Sequence, residues 1–408
     1  MNKTDPIPIT IIDHKKPAAS RLSSDERIVI VPDTINDRYA SFQFIPWWEQ
    51  ERLRQATIMV VGVGALGNEV LKNLAMLGIG RLVIVDFDLV EPGNLSRSIL
   101  FRAQDSGRPK TEVAAAAIRD INPDVHVDAI QGDVTLDVGL GLFRRMDVII
   151  GCLDNREARL FLNQAAHRLD KPWVDGAIQE LLGIARVFWP GRGACYECIL
   201  TPADWQAIES RYSCSLLNRE KILTGKVPTT PTIASIIAAV QTQEALKLLH
   251  GLEVQAGCGF VFNGLTNESY TVRYPVRDDC LGHEDPYVPI VELPWASSGE
   301  TTVSEILQVA RHHLGSEAHL ELDYELVTHL YCNQCQENQQ VLQPMRRLES
   351  QQLTCPRCYI ARRPMTTHTI HGSESFLNAQ LNLISIPDLH IITARNDHRV
   401  AYFELTGN

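Results

Sequence analysis

Three glycines at the end of an apolar run, Gly62, Gly64 and Gly67 in TIMVVGVGALG, carry the first chemical signal in this 408-residue sequence. A turn with that spacing lets the backbone approach a phosphate closely. It also sets a helix N-terminus, with its free amides and its dipole, against the anion. Asp86 follows about twenty residues later, where a carboxylate commonly accepts hydrogen bonds from a ribose, so a nicotinamide dehydrogenase is open at this point. DFDLVEPGNLSRS and then GRPK add Asp88, Asn94, Arg97 and Lys110. Each alone reads as a solvated loop residue or a helix cap, and together they favour a site. The cysteines carry the second signal. Cys332 and Cys335 in YCNQC, with Cys355 and Cys358 in TCPRC, form two CxxC pairs about nineteen residues apart. That is zinc-ribbon spacing, and two pairs so placed fit one tetrahedral metal better than a redox dithiol. Cys195 and Cys198 in GACYECIL form another CxxC pair, and Cys280 with His283 in DDCLGHE a CxxH pair some eighty residues on.

The elements that must position these residues follow from periodicity. TIMVV at 57–61 is a β-branched, apolar run expected as a buried strand, NEVLKNLAMLG has apolar residues at helical spacing, and RLVIVD is a second buried strand. The alternation continues through a helix at 110–120, a strand at VHVDAI, a strand at DVIIGCLD and the helix REARLFLNQAAHRL. A doubly wound, mostly parallel, Rossmann-like α/β sheet is predicted. PWVDGAIQELLGIARVFWP then reads as strands, and PTIASIIAAVQTQEALKLLHG as a long helix ended by Gly251. Before the first strand, residues 38–55 read as an extended piece and a short amphipathic helix with Trp47, Trp48 and Leu53 on its apolar side. Residues 1–37 are expected to be a mobile leader, 38–285 the nucleotide-binding domain, and 286–408 a smaller α+β domain containing the zinc ribbon.

Composition sets outer bounds. The chain is 45% hydrophobic and 21% charged, as in globular proteins, and its formal net charge of −11 argues against general binding to nucleic acid. No run of about eighteen apolar residues is present, and the N-terminal stretch lacks a secretory signal's apolar core, so neither a membrane partner nor export is expected and the cytoplasm is the expected location. Ten cysteines in such a compartment point to metal rather than disulfides.

The ordered set from Gly62 to Asp154 resembles the ThiF/MoeB/HesA family and the adenylation domains of ubiquitin-activating enzymes, whose pattern runs DxD, NxxRQ, a lysine in a GxPK turn and a later aspartate, matched here by Asp154-Asn155 in GCLDN. The resemblance covers roughly residues 38–285. It implies ATP-dependent adenylation of the C-terminal carboxylate of a ubiquitin-like or sulfur-carrier protein ending in glycine. The chemistry agrees, since one anion attacks another and cations must offset the charge that builds on phosphate. Arg97 and Lys110 suit that role, Asp86 would hold ribose hydroxyls, Asn94 would orient phosphate or magnesium, and Asp154 is expected to hold Mg²⁺. Two departures stand out. Ser98 occupies the place of the family's glutamine, shortening or losing one polar contact. The family's RYxRQ arginine, often supplied across a homodimer, is missing from Arg38-Tyr39-Ala40-Ser41-Phe42, leaving Arg38, or Arg52 or Arg54, as the substitute.

The resemblance further implies that Cys195, Cys198, Cys280 and His283 close a structural zinc as a Cys₃His set, which has no open coordination position. Of the remaining cysteines, Cys152 reads as a buried small hydrophobe and Cys258 as part of a glycine-flanked turn. Cys214 lies in the polar, basic stretch SRYSCSLLNREKILTGKVPTTPT, where family relatives carry the cysteine that takes the acyl group from AMP. It is expected to form a thioester, after which the domain from residue 286 would recruit a conjugating enzyme. Other readings are an activator of a sulfur carrier for thiamine or molybdopterin synthesis, an NAD-dependent dehydrogenase, and a scaffold without catalysis held together by its zincs.

Overall fold

The computed structural model describes residues 9–11, 27–29, 36–212, 228–283 and 285–407. Within the segment expected as a leader, strands β1 (Ile9–Ile11) and β2 (Arg27–Val29) pair in parallel. The extended piece expected after Arg38 is instead a 3-10 turn at Ala40–Phe44, and helix α1 spans only Gln50–Gln55. Pro46 explains the difference, because its ring disfavours helical backbone at Ile45 and it has no N–H to donate. Trp47 and Trp48 therefore precede the helix and pack on the His250 ring, with centroids 5.2 and 5.5 Å away.

The chain then runs through β3 (Thr57–Val61), α2 (Ala65–Leu77), β4 (Arg81–Asp86), α3 (Lys110–Ile121), β5 (His126–Gln131), α4 (Leu140–Arg144), β6 (Val148–Gly151), α5 (Arg156–Arg168), β7 (Trp173–Gln179) and β8 (Leu182–Phe188). Next come α6 (Pro202–Tyr212), α7 (Pro231–Leu249), β9 (Cys258–Asn263) and β10 (Glu268–Arg273). The strands form one mixed sheet ordered β10-β9-β8-β7-β6-β3-β4-β5, parallel from β7 to β5 and antiparallel beyond β7. Alternation along β3 shows why these strands read as unbroken apolar runs. Ile58 and Val60 join the core under α2, α3 and α7, whereas Met59 and Val61 join the core under α4, α5 and α6, so both faces are dry. Thr230 caps α7, and Gly251 ends it with φ of +67°. Cys258, expected in a turn, is the buried first residue of β9. Among the described residues, no helix is long and apolar enough to cross a membrane.

A second sheet follows, from β11 (Ile290–Leu293), α8 (Val303–Leu314), β12 (His319–Tyr331), β13 (Asn338–Pro344), β14 (Arg363–Ile370), β15 (Ile391–Arg395) and β16 (Val400–Leu405). Its order is β11-β16-β15-β12-β13, with β14 also on β12. Thr302 and Glu305 form a capping box that starts α8, whose Ile306, Leu307 and Ala310 fill the core of this half. The halves meet at α4. The Gly141 N–H donates to the Leu389 carbonyl at 2.7 Å, and a Cβ on Gly141 would lie 2.5 Å from that oxygen. The wholly buried Glu404 of β16 accepts from Arg145 and is ion-paired with Arg144, and Tyr287 stacks on Tyr402 at 3.9 Å.

Candidate functional site

In the sheet, β3 lies between β4 and β6, so the chain leaves neighbouring strands in opposite directions and a crevice opens at their carboxyl ends. A cavity of about 350 Å³ occupies that crevice, within the usual size range for small-molecule sites. Gly62, at φ +93°, abuts Cys152: an added Cβ would lie 2.4 Å from its carbonyl oxygen. A Cβ on Gly67 would lie 2.0 Å from the Gly62 oxygen. These two glycines are therefore required by backbone crowding within the fold. Gly64 differs, for a Cβ there would meet nothing within 4 Å, and the residue lines the cavity at the N-cap of α2.

Asp86 ends β4, and its carboxylate accepts N–H bonds from Val63 at 2.7 Å and Asp88 at 2.8 Å. Burial raises its pKa above the ordinary carboxylate value, with Lys110 and these two donors opposing. Lys110 opens α3, and its Nζ donates to Asp88 Oδ2 at 2.6 Å. The lysine side chain is 9% exposed against 51% for Asp88, so a nearly buried cation is held by a hydrated acid. Asp154 and Asn155 lie in the loop after β6. Asn155 Oδ1 caps α5 by accepting the Ala158 N–H at 2.8 Å, and its Nδ2 donates to Asp154 Oδ1 at 3.3 Å. Arg159 braces this loop from α5 by donating to the Leu153 carbonyl, while its Nε donates to the fully buried Asp175 at 2.9 Å. Arg186 donates to the other Asp175 oxygen. Burial alone would push the Asp175 carboxyl up, but Arg159 and Arg186 outweigh it and hold the group below the usual carboxylate range.

The structure brings Gly62, Gly64, Asp86, Asp88, Lys110, Asp154 and Asn155 to one cavity, with Gly67 supporting the turn behind them. Three expected residues lie elsewhere within the chain. Asn94 is spent on a capping box, its Oδ1 accepting the Glu91 N–H at 2.9 Å. The Arg97 guanidinium folds back to donate to the Gly93 carbonyl at 2.8 Å and does not line the cavity. Arg38 donates to the Ile121 carbonyl at 3.1 Å, capping the end of α3 remote from Lys110. Arg52 and Arg54, the other substitutes, pair with Glu49 and Glu51 on α1, before the amino end of β3 and opposite the cavity. Ser98 is buried and also lines no part of it. Cys214 lies outside the described residues.

Sequence reading missed four polar lining residues. Asp133 and Thr135 follow β5, where the rule of strand carboxyl ends could have found them, and Glu157 follows Asn155 in the first turn of α5. Arg346 comes from the far half of the chain and had no local signal. Five acids line the cavity, namely Asp86, Asp88, Asp133, Asp154 and Glu157, against the cations Lys110 and Arg346.

Both cysteine clusters assemble. The ligand atoms of Cys195, Cys198, Cys280 and His283 lie within 4.8 Å of one another, as do those of Cys332, Cys335, Cys355 and Cys358. Individual separations include 3.6 Å for Cys195–Cys280, 3.3 Å for Cys198 Sγ to His283 Nε2 and 3.5 Å for Cys332–Cys358. Sulfurs bound tetrahedrally at zinc distances lie about 3.8 Å apart, so the donor sets fit such an ion. Burial raises the Cys195 and Cys280 thiols, and Cys335 is pushed up to about 12 by its sulfur neighbours, Cys358 foremost. Either cluster can hold a metal ion.

Residues 36–281 match the ThiF family. A sulfur carrier protein adenylyltransferase of Thermus thermophilus is 35% identical over 252 residues, covering 60% of this chain and 88% of that protein. A ubiquitin-like modifier-activating enzyme 5 of Bombyx mori is 32% identical over 212 residues, covering 49% of this chain and 52% of that protein. Its counterpart in Dictyostelium discoideum is 31% identical over 213 residues, covering 49% and 54%. The chain thus spans about half the length of these activating enzymes. E. coli MccB, solved with ATP, shares the fold at a TM-score of 0.51 and 20% identity, over 62% of this chain and 75% of that one. The glycine turn, the carboxylates at the strand ends and the buried lysine all fall inside the matched stretch, and across residues 36–281 the chain belongs to the ThiF family.

Proposed function

We propose that this protein uses MgATP to adenylate the C-terminal carboxylate of a small carrier protein of the ubiquitin-like or sulfur-carrier type. The carrying observation is the convergence of Gly64, Asp86, Lys110 and Asp154 on one cavity at the strand carboxyl ends of a ThiF-family chain. In this reading the sheet is Rossmann-like and residues 286–408 form an accessory domain built on a zinc ribbon. A carboxylate oxygen of the carrier attacks the α-phosphorus of ATP, and the bond to the β-phosphate oxygen breaks, giving acyl-AMP and pyrophosphate. The Gly62–Gly67 turn and the N-terminus of α2 bind phosphate, Asp86 takes ribose hydroxyls, and Lys110 offsets charge building on phosphate oxygens. A triphosphate entering a cavity with five acids and two cations needs further positive charge, which suits Mg²⁺ held by Asp154. That ion, when bound, neutralises phosphate oxygens. The test is ATP–pyrophosphate exchange: exchange dependent on an added carrier protein ending in glycine is expected, and its absence with all such carriers would overturn the reading.

Two fates of the acyl-AMP remain to be separated. In the first, the Cys214 thiolate attacks the acyl carbon and AMP leaves, and the thioester then passes to a conjugating enzyme. Cys214→Ala is then expected to leave exchange intact while abolishing a thiol-labile conjugate. Equal loss of exchange would make Cys214 structural. In the second, hydrosulfide-level sulfur from a donor attacks the acyl carbon and AMP leaves, so the carrier ends as a thiocarboxylate. The relative in Thermus thermophilus, named for a sulfur carrier and covered over 88% of its length, favours this fate. Mass analysis of the carrier for thiocarboxylate or thioester decides between them.

Zinc is the ion that suits both cysteine clusters. Elemental analysis of the purified chain is expected to find two zinc ions per chain. Cys355→Ser should leave one, since it removes a ligand of the Cys₄ set only.

A further inference from the structure

The cavity wall nearest β5 is held from the far half of the chain. Gly132, Asp133, Val134 and Thr135, in the loop that follows β5, line the cavity. That loop is folded on itself. Asp133 Oδ1 accepts the Thr135 N–H at 2.9 Å and its hydroxyl at 2.8 Å, and Asp137 Oδ2 accepts the Asp133 N–H at 2.8 Å. A Cβ on Gly132 would lie 2.7 Å from the Asp137 Cβ, so the two ends of the loop pack against each other. The other Asp137 oxygen accepts from Arg347, which stands in the single turn Met345–Arg347 after β13 and also donates to Ser385 Oγ at 3.3 Å. Leu348, buried against Val327 and Leu330, anchors that turn in the second half. Arg347 itself does not line the cavity.

We propose that Arg347 is a positioning residue for the nucleotide: by holding Asp137 it fixes residues 132–135 as the surface on which the adenine base rests. The inference rests on the adenylation reading above. The order of strands gives the direction. With phosphates at the glycine turn after β3 and ribose at Asp86 of β4, the base lies toward β5, the next strand out. Val85, Phe87 and Val134 line the cavity and offer apolar surface to a flat ring. Arg347 and Asp137 have side chains 38% and 36% exposed, so their pair acts at the scale of a partly hydrated ion pair and shifts the loop's population rather than locking it. Affinity for the base then depends on how firmly the second half holds the loop. The neighbouring Arg346 lines the cavity itself, so the test is placed on Arg347, which separates positioning from contact with the ligand.

Titration calorimetry of the full-length chain with MgATP, adenosine and magnesium tripolyphosphate tests this, with Lys110→Ala as the reference. Arg347→Ala is expected to weaken MgATP and adenosine alike by about three- to fivefold, the upper part of the range for a partly exposed ion pair, and to leave tripolyphosphate unchanged within about twofold. Arg347→Glu, which repels Asp137, should lose about tenfold or more, and Arg347→Lys should recover most of the loss. Asp137→Asn keeps an acceptor for the Asp133 N–H and should match Arg347→Ala, with the double variant no weaker than either alone. Lys110→Ala should do the reverse, losing MgATP and tripolyphosphate while keeping adenosine. If Arg347→Glu binds MgATP and adenosine as wild type does while Lys110→Ala loses MgATP, the positioning role is refuted and the adenylation reading stands. Equal losses for all three ligands would make Arg347 a brace for the cavity as a whole and overturn its role at the base. Failure of the wild-type chain to bind MgATP would remove the adenylation reading, and this inference with it.

Discussion

Lys110→Ala is expected to lower carrier-dependent ATP–pyrophosphate exchange by about 10²–10³-fold, about 3–4 kcal/mol of transition-state stabilisation, the loss seen when a group aimed at developing charge is removed. The lysine starts α3, its backbone N–H donates to the Asp88 carbonyl at 3.0 Å, and its ammonium is nearly out of water. A cation in that setting acts on phosphate oxygens without the screening that weakens surface charges. Its loss should cost little stability, because the partner left behind, Asp88, is half exposed and can hydrate. The informative measurement is therefore exchange rate beside thermal unfolding. A large fall in rate with an unchanged unfolding midpoint supports a role in chemistry. Exchange within about threefold of wild type would remove Lys110 from the mechanism.

Asp175→Ala is expected to have the opposite profile, costing about 3–5 kcal/mol of stability, because removing one member of a buried ionic set leaves the others charged and unpaired. Asp175 lies on β7 with no exposure and bridges Arg159 and Arg186, themselves nearly buried. Arg159 also holds the Leu153 carbonyl, so the loop bearing Asp154 should loosen as the bridge is lost. The pH dependence follows from the sign of the shift. The folded-state pKa of Asp175 lies below the unfolded value of about 3.9, so its ionised form contributes full stability above that pH. The contribution is lost as pH falls toward the lowered folded value. Denaturant unfolding should show this acid-side loss in the wild type and lack it in Asp175→Asn. Wild-type stability in Asp175→Ala would mean that the two arginines are solvated in a way the burial denies.

Much of the site was legible because it is built from local rules. A parallel strand followed by a glycine turn and a helix puts Gly64 and the N-terminus of α2 at the sheet's edge, and strand ends deliver Asp86 and Asp154 to the same edge. The expected residues that do not line the cavity share one feature. Asn94, Arg97 and Arg38 have the right chemistry and the right neighbourhood in sequence, but each satisfies a backbone group within a few residues or at a helix end. Nearby backbone groups compete for Asn94 and Arg97, a helix end 83 positions away takes Arg38, and spacing alone does not say which competitor wins. The tryptophans before α1 were misplaced for a similar reason, since Pro46 outweighed an apolar pattern.

By itself, the sequence determined the glycine turn, the strand and helix succession through α5, and two cysteine clusters able to hold a metal ion, one with members more than eighty residues apart. These depend on periodicity, on backbone crowding at glycine and on the fixed geometry of thiol ligands, all of which are written in residue type and separation. Tertiary structure alone decided which cations face the cavity. Arg346 reaches Thr135 across 211 positions because β12 and β13 carry its turn there, and no short-range pattern encodes the packing of one sheet's edge against another's loop.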